Sequence, residues 1–140
     1  MLNINCDGGS RGNPGPAASS FVVEAEGKII YKFSKFLGVA TNNVAEYTAV
    51  LEAFNWLESN KRFLEDITFV LDSELVVKQL RGLYKIKNLS LKKIYNQIKN
   101  KEIKFTHLVI YKKVPREENQ TADFLVNEKL NEMSKRISHV

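Results

Sequence analysis

Leu2, Ile4 and Cys6 alternate with Asn3, Asn5 and Asp7, the period of two that marks a strand. Residues 19–26 (SSFVVEAE) and 28–37 (KIIYKFSKFL) read as two more strands, joined by a tight turn at Glu26-Gly27. Thr41, Asn42 and Asn43 then offer capping side chains ahead of VAEYTAVLEAFNWLES, residues 44–59, which carry a helical period. ITFVLD (67–72) is a short apolar run ending on an acid, which predicts a strand buried on both faces. SELVVKQL follows as a helix with Ser73 as its cap. The basic connector RGLYKIKN leads to LSLKKIYNQIKN, a helix with Leu91, Ile94, Tyr95 and Ile98 along one stripe. KFTHLVIYKKV predicts a fifth strand, PREENQ a polar loop, and a last helix runs from about Thr121 to Lys135. The order β-β-β-α-β-α-α-β-α predicts an α/β fold, a single mixed sheet flanked by helices, in one domain spanning 1–140.

Against that pattern, four acids stand out. In the helix 44–59, Glu46 shares a face with Ala49, Val50, Ala53 and Leu57, so a carboxylate lies on the apolar, sheet-facing stripe. Burying a carboxylate costs several kcal/mol unless it is paired or bound to a cation; the alternative is a helix-dipole-assisted group at the edge of the core. Asp7 and Asp72 each end a predicted strand, where ligand groups of open α/β sheets collect, and Asp123 lies in the first turn of the last helix. If the first and fourth strands are neighbours, Asp7, Glu46, Asp72 and Asp123 share one end of the sheet. Such an oxygen-rich cluster is relieved by hard divalent cations, Mg²⁺ or Mn²⁺, and two such ions suit phosphodiester hydrolysis.

The stretch CDGGSRGNPGPA, residues 6–17, holds four glycines and two prolines. A phosphate cradle, a tight turn and a metal ligand at Asp7 all suit it. As a nucleotide loop it lacks a GK[ST] ending, and a hairpin follows where a helix is required.

Composition narrows the setting. The chain is 44% hydrophobic and 26% charged, the balance of a folded globular domain. No apolar stretch approaches the roughly 20 residues that span a bilayer, and MLNINCDGG has neither a basic leader nor a long apolar segment, so a secretory signal is not expected. One cysteine, Cys6, makes no internal disulfide, so a reducing cytoplasm is expected, with Cys6 a buried filler. The net charge is +5, and within Lys78–Arg116 there are 12 basic residues against one acid, Glu102. That asymmetry suits a polyanionic partner; a lysine-rich solvated surface is the alternative.

The blocks DGGSRGNPGPA (7–17), TNNVAEYTAV (41–50), DSELVVKQL (72–80) and NQTAD (119–123), in this order, resemble type 1 ribonuclease H, and the likeness runs from about Asn3 to Leu130. The resemblance implies the ribonuclease H-like fold, with a five-stranded sheet of three antiparallel and then parallel strands. It implies metal-binding catalytic carboxylates at Asp7, Glu46, Asp72 and Asp123, holding two Mg²⁺ or Mn²⁺ ions per site when substrate is bound. The implied activity is endonucleolytic hydrolysis of the RNA strand of RNA–DNA hybrids, leaving a 5′-phosphate, with double-stranded RNA as a further substrate to test. Asn13, Thr41, Asn42 and Asn43 match positions that contact the hybrid, whose 2′-hydroxyls short amides and hydroxyls can read. Gly8 and Gly9 then read as clearance for a nucleic-acid backbone passing the metals. Lys85 and Lys87 in the basic connector take the part of the family's reduced basic protrusion.

Two departures from the family stand out. KKVPREEN holds no histidine where many bacterial members carry one, leaving Arg116, Glu117 or Glu118 as loop auxiliaries; His107 falls in a strand and His139 in the tail. Glu74 stands where well-studied members have glutamine. The family's separate hybrid-binding domain is expected to be absent, and a monomer is the default. The competing function is a non-catalytic module that binds hybrid or double-stranded RNA, which would be expected to have lost at least one of the four acids.

Overall fold

β1 (Leu2–Ser10) runs three residues past Asp7, so Gly8 and Gly9 belong to the strand. The turn expected directly behind Asp7 lies instead at residues 11–14, where the Arg11 N–H donates to the Pro16 carbonyl at 2.9 Å. β2 (Gly15–Ala25) therefore starts earlier than its side-chain pattern predicts, with Gly8, Gly9 and Ser10 paired to Ser19, Ala18 and Ala17. A ladder of main-chain hydrogen bonds needs no side chain, so glycines hide strand residues from a hydrophobic pattern. β3 (Lys28–Ala40) likewise extends beyond residue 37. The computed structural model describes residues 1–138, with side chains through Arg136; His139 lies outside the described residues.

The five strands form one sheet in the order β3-β2-β1-β4-β5, with β4 (Ile67–Leu71) and β5 (Val109–Lys113). β1, β2 and β3 are antiparallel, whereas β4 pairs in parallel with both β1 and β5. All five residues of β4 are buried, as a run that is apolar apart from Thr68 predicts. β5 is shorter than predicted because Phe105 leaves the ladder for the core, its ring 5.4 Å from Phe54 and 5.2 Å from Phe63. Next to it, the Thr106 N–H bonds the Phe63 carbonyl at 3.2 Å.

Helices cover both faces of the sheet. α1 (Asn42–Ser59) lies on the face of Ile4, Cys6 and Phe21, burying Ala49, Val50, Ala53 and Leu57 as its period predicts. Tyr47 and Phe54 are buried as well, because α3 (Leu89–Glu102) adds Leu91 and Ile98 to the same core and widens the covered arc. The Tyr47 hydroxyl donates to Gln79 Oε1 at 2.5 Å, which ties α1 to α2 (Glu74–Leu80). α4 (Gln120–Ser138) covers the opposite face, where Val126 and Leu130 pack on Ala18 and Phe36.

Candidate active site

Parallel pairing of β1 and β4 carries Asp7 and Asp72 to one end of the sheet. Asp72 directly follows Leu71, the last residue of β4, and Asp7 sits within β1 opposite Ser20 of β2. α1 starts at the same end, bringing Glu46, and α4 enters there with Asp123 in its first turn. The four acids line one cavity of about 520 Å³ together with Gly8, Gly9, Ser10, Asn42, Asn43 and Arg116.

The local structure follows from a few contacts. Ser73 caps α2 by accepting from the Val76 N–H at 3.3 Å, so the chain turns away immediately after Asp72. Thr41 caps α1 through the Val44 N–H at 3.2 Å. Asn119, almost fully buried, donates to the Cys6 carbonyl at 2.9 Å and accepts from Asn5 Nδ2 at 3.0 Å. This amide fastens the start of α4 to the residues just before Asp7.

Crowded carboxylates in a half-enclosed site resist ionisation. Burial, then Asp72, Asp123 and Glu46, push the Asp7 carboxyl up to about 8. Burial and Asp72 push Glu46 up to about 7, against opposing contributions from the Ser73 side chain and Arg116. Asp72 is raised by burial as well, with Arg116 and Lys113 opposing. Arg116 is the cation paired with the acids, its Nη2 3.3 Å from Asp123 Oδ1.

The donor set is all oxygen, and Glu46 Oε2 is buried with no hydrogen-bond partner. That combination fits a hard divalent cation in kind. Among the described residues, no three His, Cys, Asp or Glu side chains already stand as ligands around one point.

The other residues singled out by sequence divide into those at the cavity and those away from it. Asn42 and Asn43 line it, and Asn42 Oδ1 also accepts from the Ser10 N–H at 2.7 Å. Asn13 is exposed and accepts from the Asn42 N–H at 3.0 Å, so part of its amide is spent joining the loop to α1. Lys85 and Lys87 are exposed between α2 and α3 and do not line the cavity. Glu118, exposed on the 3-10 turn Arg116–Glu118, does not line it either, and of that turn only Arg116 does. His107 precedes β5, at the end of the sheet away from Asp72.

Gly8 calls for a correction. It is buried, and a Cβ there would lie 2.2 Å from the Ala45 carbonyl carbon and 2.4 Å from the Glu46 nitrogen. The missing side chain makes room for α1, while the Gly8 main chain still lines the cavity. Arg11 and Asn127 also line the cavity and were not singled out by the sequence reading; a loop arginine and a helix asparagine break no pattern.

Residues 5–129 match the family model described as Reverse transcriptase-like. LC11-RNase H1, whose crystal structure is a complex with an RNA/DNA hybrid, superposes with a TM-score of 0.89 at 34% identity, covering 95% of this chain and 99% of that one. The chain belongs to the type 1 ribonuclease H family. RNase H1 from Halobacterium salinarum gives a TM-score of 0.86 at 35% identity, over 94% of this chain and 98% of that one. In sequence, the chain is 38% identical over 135 residues to Ribonuclease HI of Halobacterium salinarum, covering 90% of this chain and 62% of that protein. It is 36% identical over 130 residues to the bifunctional protein Rv2228c of Mycobacterium tuberculosis, covering 91% of this chain and 35% of that protein. The chain thus spans about a third of the length of its mycobacterial relatives. The ribonuclease H-like sheet order is the one expected from the sequence blocks, with three antiparallel strands followed by parallel ones.

Proposed function

We propose that the chain is a metal-dependent endonuclease that hydrolyses the RNA strand of RNA–DNA hybrids and leaves a 5′-phosphate, acting as a single catalytic domain. The observation that carries this reading is the convergence of Asp7, Glu46, Asp72 and Asp123 on one cavity, where burial, with the neighbouring carboxylates adding to it, raises the first three. Such a cluster has no evident structural purpose, since each buried like charge costs stability. Family membership and the hybrid bound by LC11-RNase H1 support the substrate class.

In this reading Asp7, Glu46, Asp72 and Asp123 hold two Mg²⁺ or Mn²⁺ ions. When bound, these ions supply charge neutralisation and Lewis-acid activation for phosphodiester hydrolysis. Arg116 steadies Asp123 and offers a cation to a phosphate oxygen, the auxiliary part that a loop histidine plays in other members. Asn42 and Asn43 at the cavity rim read 2′-hydroxyl groups, which separate RNA from DNA. Asn13 and Thr41 brace that rim, and the Asn13 amide nitrogen is available to a phosphate. Lys85 and Lys87 meet the backbone of the duplex further along, and double-stranded RNA is a second substrate to assay. The lone buried Cys6 suits a reducing cytoplasm, and the protein acts as a monomer. Among the described residues no helix is long and apolar enough to cross a membrane.

Asp72→Asn, nearly isosteric, tests the assignment. It is expected to abolish cleavage of a labelled hybrid while leaving hybrid binding intact or tighter. Cleavage by this variant at the wild-type rate and matched metal concentration would sink it.

A further inference from the structure

β2 contributes none of the four acids, yet it carries two fully buried hydroxyls beside them. Ser19 and Ser20 are both 0% exposed. In the antiparallel register Ser19 lies opposite Gly8, and Ser20 lies opposite Asp7. Residues directly opposite one another in such a ladder project to the same face, and successive residues project to opposite faces. Ser19 therefore faces α1 and Ser20 faces α4.

Each hydroxyl grips the peptide that precedes an acid. Ser19 Oγ donates to the Ala45 carbonyl at 2.6 Å, and Ala45 is followed by Glu46. Ser20 Oγ donates to the Ala122 carbonyl at 2.6 Å, and Ala122 is followed by Asp123. Both carbonyls belong to first turns of helices, whose oxygens have a second lone pair free for such a donor. On the α1 side, Gly8 lets the helix approach and Ser19 holds the same peptide at that distance. On the α4 side, Asp7 and Ser20 stand side by side beneath the first turn.

We infer that Ser19 and Ser20 are positioning residues: one strand sets the separations among Asp7, Glu46 and Asp123 by pinning the helices that carry the last two to the strand pair that carries the first. A mere contribution to folding would not call for both bonds to fall on the residues immediately before the site acids, one on each face of the sheet. The sequence gives little hint of this, since SSFVVEAE reads as a strand with a polar start. The inference rests on the nuclease reading of the site, and the experiment separates the two.

The test uses the full chain and the variants Ser19→Ala and Ser20→Ala, with Thr68→Val as a control that removes a buried hydroxyl from β4 away from these helices. Hybrid cleavage is measured as kcat and KM across a Mg²⁺ titration, and the Mg²⁺-induced rise in Tm is measured without substrate. Each serine variant is expected to lose about 5- to 20-fold in kcat, because small displacements of reacting groups are costly. KM for the hybrid stays within about twofold of wild type, half-maximal activity needs several-fold more Mg²⁺, and Mg²⁺ raises Tm less. Thr68→Val keeps wild-type kcat and Mg²⁺ response. If an alanine variant fails to fold, the cysteine variant at the same position, similar in size and a weaker donor, is read with the same expectations. Wild-type kcat and Mg²⁺ response in both serine variants, or an equal loss in Thr68→Val, overturns the inference. No cleavage by the wild-type chain overturns the nuclease reading instead.

Discussion

Gly8→Ala is the perturbation whose size the structure states most plainly. The added Cβ lies 2.2 Å from the Ala45 carbonyl carbon, 2.4 Å from its oxygen and 2.4 Å from the Glu46 nitrogen. All three are main-chain atoms of α1, so no side chain can swing aside. Carbon atoms settle at about 3.5–4.0 Å, so the helix start must retreat by more than about 1 Å or β1 must buckle. Overpacking of this kind typically costs about 1–3 kcal/mol, and rigid main chain on both sides puts the cost at or above the upper end. For a chain of this length that lowers Tm by roughly 5–15 °C. The same retreat carries Glu46 away from Asp7 and stretches the Ser19–Ala45 hydrogen bond, so cleavage falls by about 100-fold at temperatures where the variant is folded. Gly9→Ala is the matched comparison, because its Cβ meets Val126 Cγ1 at 3.5 Å, an ordinary contact, and its stability changes by less than about 1 kcal/mol. Thermal melts followed by circular dichroism, with hybrid cleavage below the transition, measure both effects. If Gly8→Ala melts with the wild type and loses only hybrid binding, the glycine serves substrate clearance and the packing explanation is wrong.

Three other outcomes are expected. Burial and the neighbouring carboxylates push Asp7 up from an ordinary 3.8 to about 8, so the stability it contributes is complete below about pH 3.8 and is lost as pH rises towards 8. In EDTA at pH 7 this amounts to at most about 4 kcal/mol, so Asp7→Asn melts higher than wild type there, the gap closes near pH 4, and Mg²⁺ stabilises wild type more than the variant; a lower Tm for Asp7→Asn in EDTA at pH 7 contradicts this. Asn119→Ala leaves the Cys6 carbonyl and Asn5 amide unpaired, costing about 1–3 kcal/mol in urea unfolding, whereas a loss below about 0.5 kcal/mol means that amide does not fasten α4. Lys85→Ala with Lys87→Ala raises KM for hybrid, leaves kcat unchanged and flattens the salt dependence of binding by about one to two charges; an unaltered slope removes both lysines from the interface.

How much of the site could be read from the chain depends on whether a residue breaks its local pattern. Glu46 on an apolar helical stripe and Asp72 at the end of a fully buried strand do so, and the structure brings both to one cavity with Asp7 and Asp123. That β4 lies inside the sheet was legible because ITFVL lacks alternation, whereas its parallel pairing with β1 was left open by the pattern and came from the structure. Gly8 was legible as a glycine in need of space but not as to whose space, since its neighbour α1 is far away in sequence. Ser19, Ser20 and Asn119 were silent for a related reason. A buried polar side chain looks like an exposed one until its partner carbonyl is known, and those partners lie 26, 102 and 113 residues away. The start of β5 was misread because Phe105 through Leu108 fits a strand pattern, while packing on Phe54 and Phe63 draws Phe105 out of the ladder.

Whether four acids around one cavity cut RNA paired with DNA is measured directly by cleavage of a hybrid labelled separately on each strand. The purified chain is incubated with Mg²⁺, with Mn²⁺ and with EDTA, beside a DNA duplex and a double-stranded RNA of the same sequence. Internal cuts in the RNA strand of the hybrid, with 5′-phosphate ends, in at least one metal and none in EDTA, are the expected result. An intact RNA strand in both metals, or equal cutting of the DNA strand, would contradict it.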